Sequence, residues 1–266
     1  MVFEGFVQGS EGTVFYRKWD AQGSPRRIVQ IVHGYAEHGG RYAHVARALT
    51  ARGAVVYADD HLGHGRSEGE RALITDFEHV VEDLHTVSEI ARAGHPGIPL
   101  ILIGHSMGGL LSGRFAQRWP TEVAGVAFCG AVIGDWQWAR DVLTEPELPH
   151  IPFDPLALSR DPAGGAAYAE DPLVYHGQYK RGLLEAEVVA LDAFQRDISG
   201  LAMPVLFLHG TDDPFVPSSR SLQAVRDMPT EDVTVHLIDG GRHEVFNEIN
   251  RDEVIGYLTE WVDRFG

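Results

Sequence analysis

The sequence predicts an α/β fold in which a mainly parallel sheet is flanked by helices. Six short, nearly continuous apolar runs recur along the chain, which is typical of strands covered on both faces. These runs lie at residues 28–32, 54–58, 100–103, 123–128, 205–208 and 233–238. Helical patterns separate them, and strands that alternate with helices require crossover connections. With 266 residues and 44% apolar side chains, the chain can bury a large core, which fits one sizeable domain with or without an insertion.

The helices are predicted from apolar stripes at helical spacing. The clearest stripe follows the segment TDFE at residues 75–78, which has the pattern of a capping box. It continues through Phe77, Val80, Val81, Leu84, Val87 and Ile90. A second helix closes the chain, with apolar side chains at positions 254, 255, 258, 261, 262 and 265. A third runs from Arg181 to Ile198 with Leu184, Val188, Leu191 and Phe194 facing inward.

One long interval breaks the alternation of strand and helix. Between residues 131 and 200 no convincing buried strand is present, yet the interval is far too long for a plain loop. It contains Trp136 and Trp138 and a proline-rich middle. We therefore predict that residues 1–131 and 200–266 form the core of the fold and that residues 132–199 form an inserted cap over one edge of the sheet.

The charge balance restricts the partners and the location of the protein. A formal net charge of −16 repels a phosphate backbone, so no nucleic acid partner is expected. The single cysteine, Cys129, lies in an apolar run and is expected to be buried. Residues 1–6 lack the pattern of a secretory signal, which predicts a cytoplasmic location. Residues 94–113 carry no charge, but prolines and glycines interrupt them, so they indicate strand, turn and helix start.

The segment GHSMGG, residues 104–109, has the pattern of a nucleophile elbow. It matches G-x-S-x-G and lies between a predicted strand and a predicted helix. Glycines on both sides of Ser106 remove Cβ atoms that would clash at a sharp strand-to-helix turn. The motif alone is common by chance in a glycine-rich chain, so its position between strand and helix is the stronger evidence. Ser106 is thus the candidate nucleophile.

A serine nucleophile needs a base and a carboxylate, and both follow later strands. The run at 205–208 is followed by HGTDDPFVP, which offers Asp212 and Asp213, and the run at 233–238 by DGGRHE. Of 14 histidines, only His243 follows the last strand and precedes the terminal helix, so it is the candidate base. His61 and His64 could also be metal ligands, but no further histidine or cysteine completes a set, and no metal is expected.

The negative charge of a tetrahedral intermediate requires two backbone donors. The residue after the nucleophile, Met107, supplies one N–H group. The second is expected from the loop after the first of the six runs, where His33-Gly34-Tyr35 presents the N–H group of Tyr35.

Several motifs together resemble the monoacylglycerol lipase family, especially its bacterial members, within the α/β-hydrolase superfamily. The segments at 33–42 (HGYAEHGGRY), 60–69 (DHLGHGRSEG), 104–109, 209–213 (HGTDD) and 241–248 (GRHEVFNE) look like family motifs in the family order. The resemblance implies a mostly parallel eight-stranded sheet with a small cap. It also implies Asp213 as the acid and a position for Tyr168 near the glycerol group, although a packing role for Tyr168 is an equal alternative.

The function expected from this resemblance is hydrolysis of carboxylic esters, foremost of monoacylglycerols to glycerol and free fatty acid, without a cofactor. A general carboxylesterase, a lysophospholipase or a perhydrolase would use the same triad, and a non-catalytic receptor can share the fold. Residues 131–153 look shorter than in the family, which leaves acyl-chain preference open. The expected partner is a small lipid or ester, with at most transient membrane contact through the cap. The sequence does not determine the oligomeric state.

Overall fold

The computed structural model describes residues 2–266 and contains one eight-stranded sheet. Its order is β1-β2-β4-β3-β5-β6-β7-β8, and every pairing from β4 to β8 is parallel. The expectation of a mostly parallel eight-stranded sheet is confirmed. The strands are β1 Val2–Gln8, β2 Thr13–Trp19, β3 Arg27–Val32, β4 Ala54–Asp60, β5 Leu100–His105, β6 Val123–Cys129, β7 Val205–Gly210 and β8 Val233–Ile238.

The first two strands lie outside the six apolar runs. They form an antiparallel hairpin, and β2 then pairs antiparallel with β4. Strand β1 lies at the edge of the sheet and is largely exposed, so it has no need of a continuous apolar run. In β2 the buried Arg17 interrupts the apolar pattern, and its guanidinium lies 2.7 Å from the Asp60 carboxylate. Because this paired charge can be buried within the strand, β2 has no continuous apolar run and is not predicted from one.

The described residues contain eight α-helices. They are α1 Ala43–Ala51, α2 Phe77–Gly94, α3 Met107–Arg118, α4 Gln137–Leu143, α5 Pro162–Glu170, α6 Arg181–Arg196, α7 Ser218–Arg226 and α8 Arg251–Val262. Helix α2 begins one residue later than a capping box at Thr75 would place it. The N-cap is Asp76, whose side chain accepts a 2.9 Å hydrogen bond from the Glu78 N–H group. Helix α6 ends two residues before the predicted Ile198.

The core occupies both faces of the sheet because side chains alternate along each strand. In β5, Leu100 and Leu102 pack on the face that holds α2, α3 and α6. Ile101 and Ile103 pack on the opposite face, against α1 and α8. All four side chains are almost completely buried, which explains the continuous apolar run in the sequence.

The interval between β6 and β7 contains α4, α5 and α6 and no strand. Helix α6 packs against α3, where Phe194 lies so close to Gly113 that a Cβ at that glycine would overlap its ring. The division into a core and a cap at residues 132–199 stays a prediction, and we call residues 132–199 the inserted segment. No helix within residues 2–266 is both long and apolar enough to cross a membrane. The charge-free residues 94–113 include β5 and the start of α3.

Candidate active site

Ser106 lies at a sharp turn between β5 and α3. Its backbone has φ 54° and ψ −123°, a conformation that costs a residue with a side chain about 1–3 kcal/mol. Two hydrogen bonds hold the turn: the Ser106 N–H group donates to the Cys129 carbonyl at 3.1 Å, and the Val132 N–H group donates to the Ser106 carbonyl at 3.1 Å. The end of β6 therefore supports the strained residue.

The glycines of GHSMGG allow close backbone approach around Ser106. A Cβ on Gly104 would overlap the carbonyl oxygen of Gly108, and a Cβ on Gly108 would overlap the carbonyl oxygen of Val32. A Cβ on Gly109 would overlap the side chain of Ala131. Any larger residue at these positions would push α3 away from the sheet and move Ser106.

The three candidate triad residues form one chain of hydrogen bonds. The Ser106 Oγ lies 2.9 Å from His243 Nε2, and the His243 Nδ1 lies 2.7 Å from Asp213 Oδ2. Each residue follows the carboxyl end of a parallel strand, namely β5, β7 and β8. The other Asp213 oxygen, Oδ1, accepts hydrogen bonds from the Phe215 and Val216 N–H groups at 2.9 and 3.0 Å. Because these bonds orient the carboxylate, it presents Oδ2 to the imidazole.

The protonation states at the site follow from these contacts. Burial would raise the pKa of Asp213, but His243 and the hydrogen bonds from His209 and His243 outweigh burial and hold this pKa well below its usual range. Burial would lower the pKa of His243, but Asp213 outweighs it, so the pKa of His243 is raised above 6.5. The ionised Asp213 keeps a proton on His243 Nδ1, which leaves Nε2 free to accept the Ser106 proton.

The loop after β3 is held beside Ser106 by Glu37. The Glu37 Oε1 accepts hydrogen bonds from the Gly34 N–H group at 2.8 Å and from the Tyr42 hydroxyl at 2.6 Å. Burial would raise the pKa of Glu37, but Arg41 outweighs burial and lowers it to about 2. The Arg41 Nη1 lies 2.6 Å from Glu37 Oε2. Glu37 is therefore ionised at neutral pH and fixes the loop through charge-assisted hydrogen bonds.

Tyr35 and Met107, the candidate oxyanion donors, border the same cavity as Ser106. Met107 is the first residue of α3, so its N–H group belongs to the unsatisfied donors of a helix start. Tyr35 follows Gly34, where a Cβ would approach the Ser106 Cβ to 3.0 Å. The placement supports the oxyanion role, which stays a prediction.

His61 and His64 lie in a buried cluster of histidines and contact backbone groups. The rings of His33 and His61 stack at 3.7 Å, and His61 Nδ1 lies 2.7 Å from Asp59 Oδ2. The His61 N–H group donates to His33 Nε2 at 2.9 Å. Throughout residues 2–266, no group of three or more histidine, cysteine, aspartate or glutamate side chains is arranged to hold a metal ion. The cluster packs the loops after β3 and β4 against each other.

A cavity of about 380 Å³ connects the candidate triad with the inserted segment. This size lies within the roughly 300–1,000 Å³ of small-molecule sites. Trp136 and Tyr168 line it from the inserted segment. Tyr168 is 5% exposed, and the Arg41 guanidinium lies 4.8 Å from its ring centroid. Tyr168 therefore borders the substrate space and packs on Arg41 as well, and its contact with a glycerol group stays a prediction.

Comparison with known proteins identifies the family. The model of the family described as serine aminopeptidase, S33, matches residues 23–250. The chain belongs to this S33 hydrolase family. It is 36% identical to a monoacylglycerol lipase of Mycolicibacterium smegmatis, over 94% of this chain and 92% of the relative. It is 29% identical to the human monoglyceride lipase, over 94% of this chain and 87% of the relative.

Solved structures agree with membership in the S33 hydrolase family. A monoacylglycerol lipase of Paleococcus ferrophilus superposes with a TM-score of 0.82 at 28% identity, covering 94% of this chain and 98% of that chain. A carboxyl esterase of Bacillus coagulans, at 24% identity and a TM-score of 0.85 over 98% of both chains, supports the fold alone. The α/β-hydrolase fold, the resemblance to the monoacylglycerol lipases and the expectation of a serine ester hydrolase are confirmed.

Glu187, a cavity residue of this S33 hydrolase, was missed by sequence reasoning. It lies on α6, lines the cavity and is only 2% exposed. Burial raises its pKa from 4.5 to about 8, and neither an ion pair nor a hydrogen bond offsets this effect. The sequence contained a signal, because Leu184, Glu187 and Leu191 follow one another at spacings of three and four on the inward stripe of α6.

We expect the Glu187→Leu variant of the S33 hydrolase to be more stable, with a gain that grows with pH. The pKa of the Glu187 carboxyl is about 8 in the folded protein and 4.5 in the unfolded chain. Ionisation of this carboxyl therefore does not lower the free energy of unfolding below pH 4.5, and its destabilising effect grows as the pH rises to about 8. Between pH 5 and pH 8 the gain in unfolding free energy should grow by roughly 3–4 kcal/mol. Urea unfolding of both proteins at the two pH values measures this. Glu185→Leu, at an exposed position of α6, is the control, and a pH-independent gain in Glu187→Leu would contradict the prediction.

Proposed function

We propose that this protein hydrolyses monoacylglycerols to glycerol and free fatty acid, with Ser106 as nucleophile, His243 as base and Asp213 as the residue that orients His243. The observation that supports this most directly is the hydrogen-bond chain from Ser106 Oγ through His243 to Asp213, of which Ser106 and His243 line the cavity. The relatives named monoacylglycerol or monoglyceride lipase support the choice of substrate.

The proposed reaction has two halves. The Ser106 Oγ attacks the ester carbonyl carbon while its proton passes to His243 Nε2, and the carbonyl oxygen becomes an oxyanion held by the N–H groups of Tyr35 and Met107. The intermediate collapses to an acyl-serine, and His243 gives its proton to the departing glycerol oxygen. Water then attacks the acyl-serine with His243 again as base, which releases the fatty acid and restores Ser106. No cofactor is needed for these steps.

The two portions of the cavity suit the two parts of such a substrate. Glu37, Tyr168 and Glu244 line one portion of the cavity, and Arg41 pairs with both carboxylates, with 2.6 Å between Arg41 Nη1 and Glu244 Oε1. The carboxylates can accept hydrogen bonds from the hydroxyls of a glycerol headgroup. The remaining lining is mainly apolar and suits the acyl chain. Residues 132–199 would then act as a cap over the acyl chain.

We also propose that contact with a lipid surface, at most transient, occurs through the inserted segment. Phe153 and Leu156 are large apolar side chains that are 44% and 52% exposed there, and Phe153 also borders the cavity. Apolar side chains at a cavity rim can take a substrate directly from an interface. A net charge of −16 works against lasting attachment to an anionic membrane.

A panel of esters tests the substrate. We expect kcat/KM for monoacylglycerols to exceed that for diacylglycerols, lysophospholipids and simple alkyl esters of equal acyl length by about tenfold or more, the equivalent of one well-placed hydrogen bond. Labelling of a separate sample by a fluorophosphonate probe, which inactivates the serine that it modifies, shows that the nucleophile is intact. A preference for simple alkyl esters over every monoacylglycerol would overturn the substrate and leave the serine mechanism in place. Absence of labelling would favour a receptor.

A further inference from the structure

The strongest unexplained feature of the cavity is a buried carboxyl with no partner. Glu187 lines the cavity from α6 and is only 2% exposed. Its carboxyl forms neither an ion pair nor a hydrogen bond within the described residues. Tyr35 also lines this cavity, and its hydroxyl is buried without a hydrogen-bond partner within the described chain. Burying a polar group without a partner is costly, so folded proteins usually pair such groups. An unpaired carboxyl in the wall of a cavity points to a ligand that completes it.

The surroundings of Glu187 differ from those of the charged groups near Tyr168. Tyr35 stacks on Tyr179 at 4.4 Å between ring centroids, and Trp138 lies 5.5 Å from Tyr179. Burial is the main effect that raises the pKa of Tyr35 and of Tyr179. Neighbouring groups, among them Glu187, raise it further. Glu187 lines the same cavity as Tyr35 and Tyr179, and it belongs to the buried stripe of α6 together with Leu184 and Leu191. Arg41, Glu37 and Glu244, in contrast, form their own paired network.

The state of these groups determines which chemistry they recognise. Burial keeps the Glu187 carboxyl protonated at neutral pH, since it raises the pKa to about 8. A protonated carboxyl donates one hydrogen bond and accepts others. A substrate hydroxyl, which also donates and accepts, matches it. A plain methylene chain would leave the carboxyl unpaired, and a site built to bind a hydroxyl discriminates strongly for this reason.

We propose that Glu187, which shares the cavity wall with Tyr35, forms a specificity site that selects acyl chains bearing a hydroxyl group at one position. The acyl portion is the relevant one because the charged network around Tyr168 suits the glycerol headgroup, whereas Glu187 lies among apolar and aromatic side chains. The inference rests on the proposed function, because it describes which ester Ser106 receives. Glu187 acts in binding and takes no part in the bond-breaking steps.

The test uses chromogenic phenyl esters, so that acyl selectivity is measured apart from the glycerol group. All of the esters have the same acyl length. One has a plain chain, one carries a terminal ammonium group, and each of the others carries a single hydroxyl at a different carbon of the chain. We expect kcat/KM to peak at one hydroxyl position, about tenfold above the plain chain. Equal kcat/KM for all of the esters would overturn the inference. A preference for the ester with the ammonium group would overturn it too, because it would mean that Glu187 is ionised and binds cations.

Variants on α6 assign the preference to Glu187. Glu187→Leu should abolish the tenfold ratio and raise kcat/KM for the plain chain, since leucine leaves no unpaired group against methylenes. Glu187→Gln, which still donates and accepts, should retain most of the ratio. Glu185→Leu changes the same residue type at an exposed position and should leave every ratio as in the wild type. An unchanged ratio in Glu187→Leu would refute the inference, whereas absence of hydrolysis of every ester by the wild type would refute the proposed function itself.

Discussion

Replacing Ser106 by alanine should lower kcat for ester hydrolysis by about three to six orders of magnitude. The hydroxyl is the only group of this residue that reaches His243, with 2.9 Å between Ser106 Oγ and His243 Nε2. Without it, neither the acyl-serine nor the proton transfer to His243 can occur, and only binding and the oxyanion donors remain to help water attack. Steady-state kinetics on a monoacylglycerol measures the loss, with the wild type quantified by active-site titration and the variant by protein concentration.

The control for this variant is the same substitution at a serine outside the cavity. Ser88 lies on α2, is fully buried and donates a 2.8 Å hydrogen bond to the His85 carbonyl. Ser88→Ala loses one hydroxyl as Ser106→Ala does, so it should cost about 1 kcal/mol of stability and leave kcat close to the wild-type value. Near wild-type hydrolysis by Ser106→Ala, in a preparation free of other esterases, would contradict the assignment of the nucleophile.

The sheet could be predicted where strands are buried on both faces and not where they are paired at the edge. Strands β3 to β8 each gave an apolar run, and even β8, which is only partly buried, kept this pattern. Strands β1 and β2 did not, because β1 is largely exposed and β2 contains a buried arginine that is compensated by Asp60 on β4. That compensation joins residues 43 positions apart, so no local pattern contains it.

The candidate site shows a similar limit. The positions of Ser106 after β5 and of His243 after β8 could be predicted, because parallel strands bring their carboxyl ends to one edge of the sheet. The choice between Asp212 and Asp213 could not be made from spacing, because neighbouring residues of a turn point in different directions. The structure buries the Asp213 side chain beside His243, whereas Asp212 is exposed. Glu187 was within reach of the sequence as a charged residue on an apolar stripe, but its lack of a partner is a property of the folded chain.

Asp213→Asn should lower kcat/KM by about four orders of magnitude, the size of loss that removal of a triad carboxylate can cause. An amide cannot reproduce an acceptor-only carboxylate, so the Nδ1 proton of His243 is no longer enforced and Nε2 is less available as base. The pH profile should change as well. His243 must be neutral to act, and its pKa is raised above 6.5 because Asp213 outweighs burial, so wild-type kcat/KM falls as pH drops through that raised pKa.

Without the Asp213 carboxylate, burial of His243 remains and the attraction for its proton is lost, so the acidic limb should move to lower pH. If Asp213→Asn only reduced the folded fraction, activity would fall while the acidic limb of the pH profile stayed in place. The position of this limb therefore distinguishes a catalytic effect from a loss of folded protein. Asp212→Asn is the matched control, since Asp212 is exposed and its side chain contacts Thr211. It should keep kcat/KM within about twofold, because surface substitutions away from the site have small effects. The reverse pattern, a large loss in Asp212→Asn and none in Asp213→Asn, would transfer the acid role to Asp212 and show that the 2.7 Å contact between Asp213 Oδ2 and His243 Nδ1 does not serve catalysis.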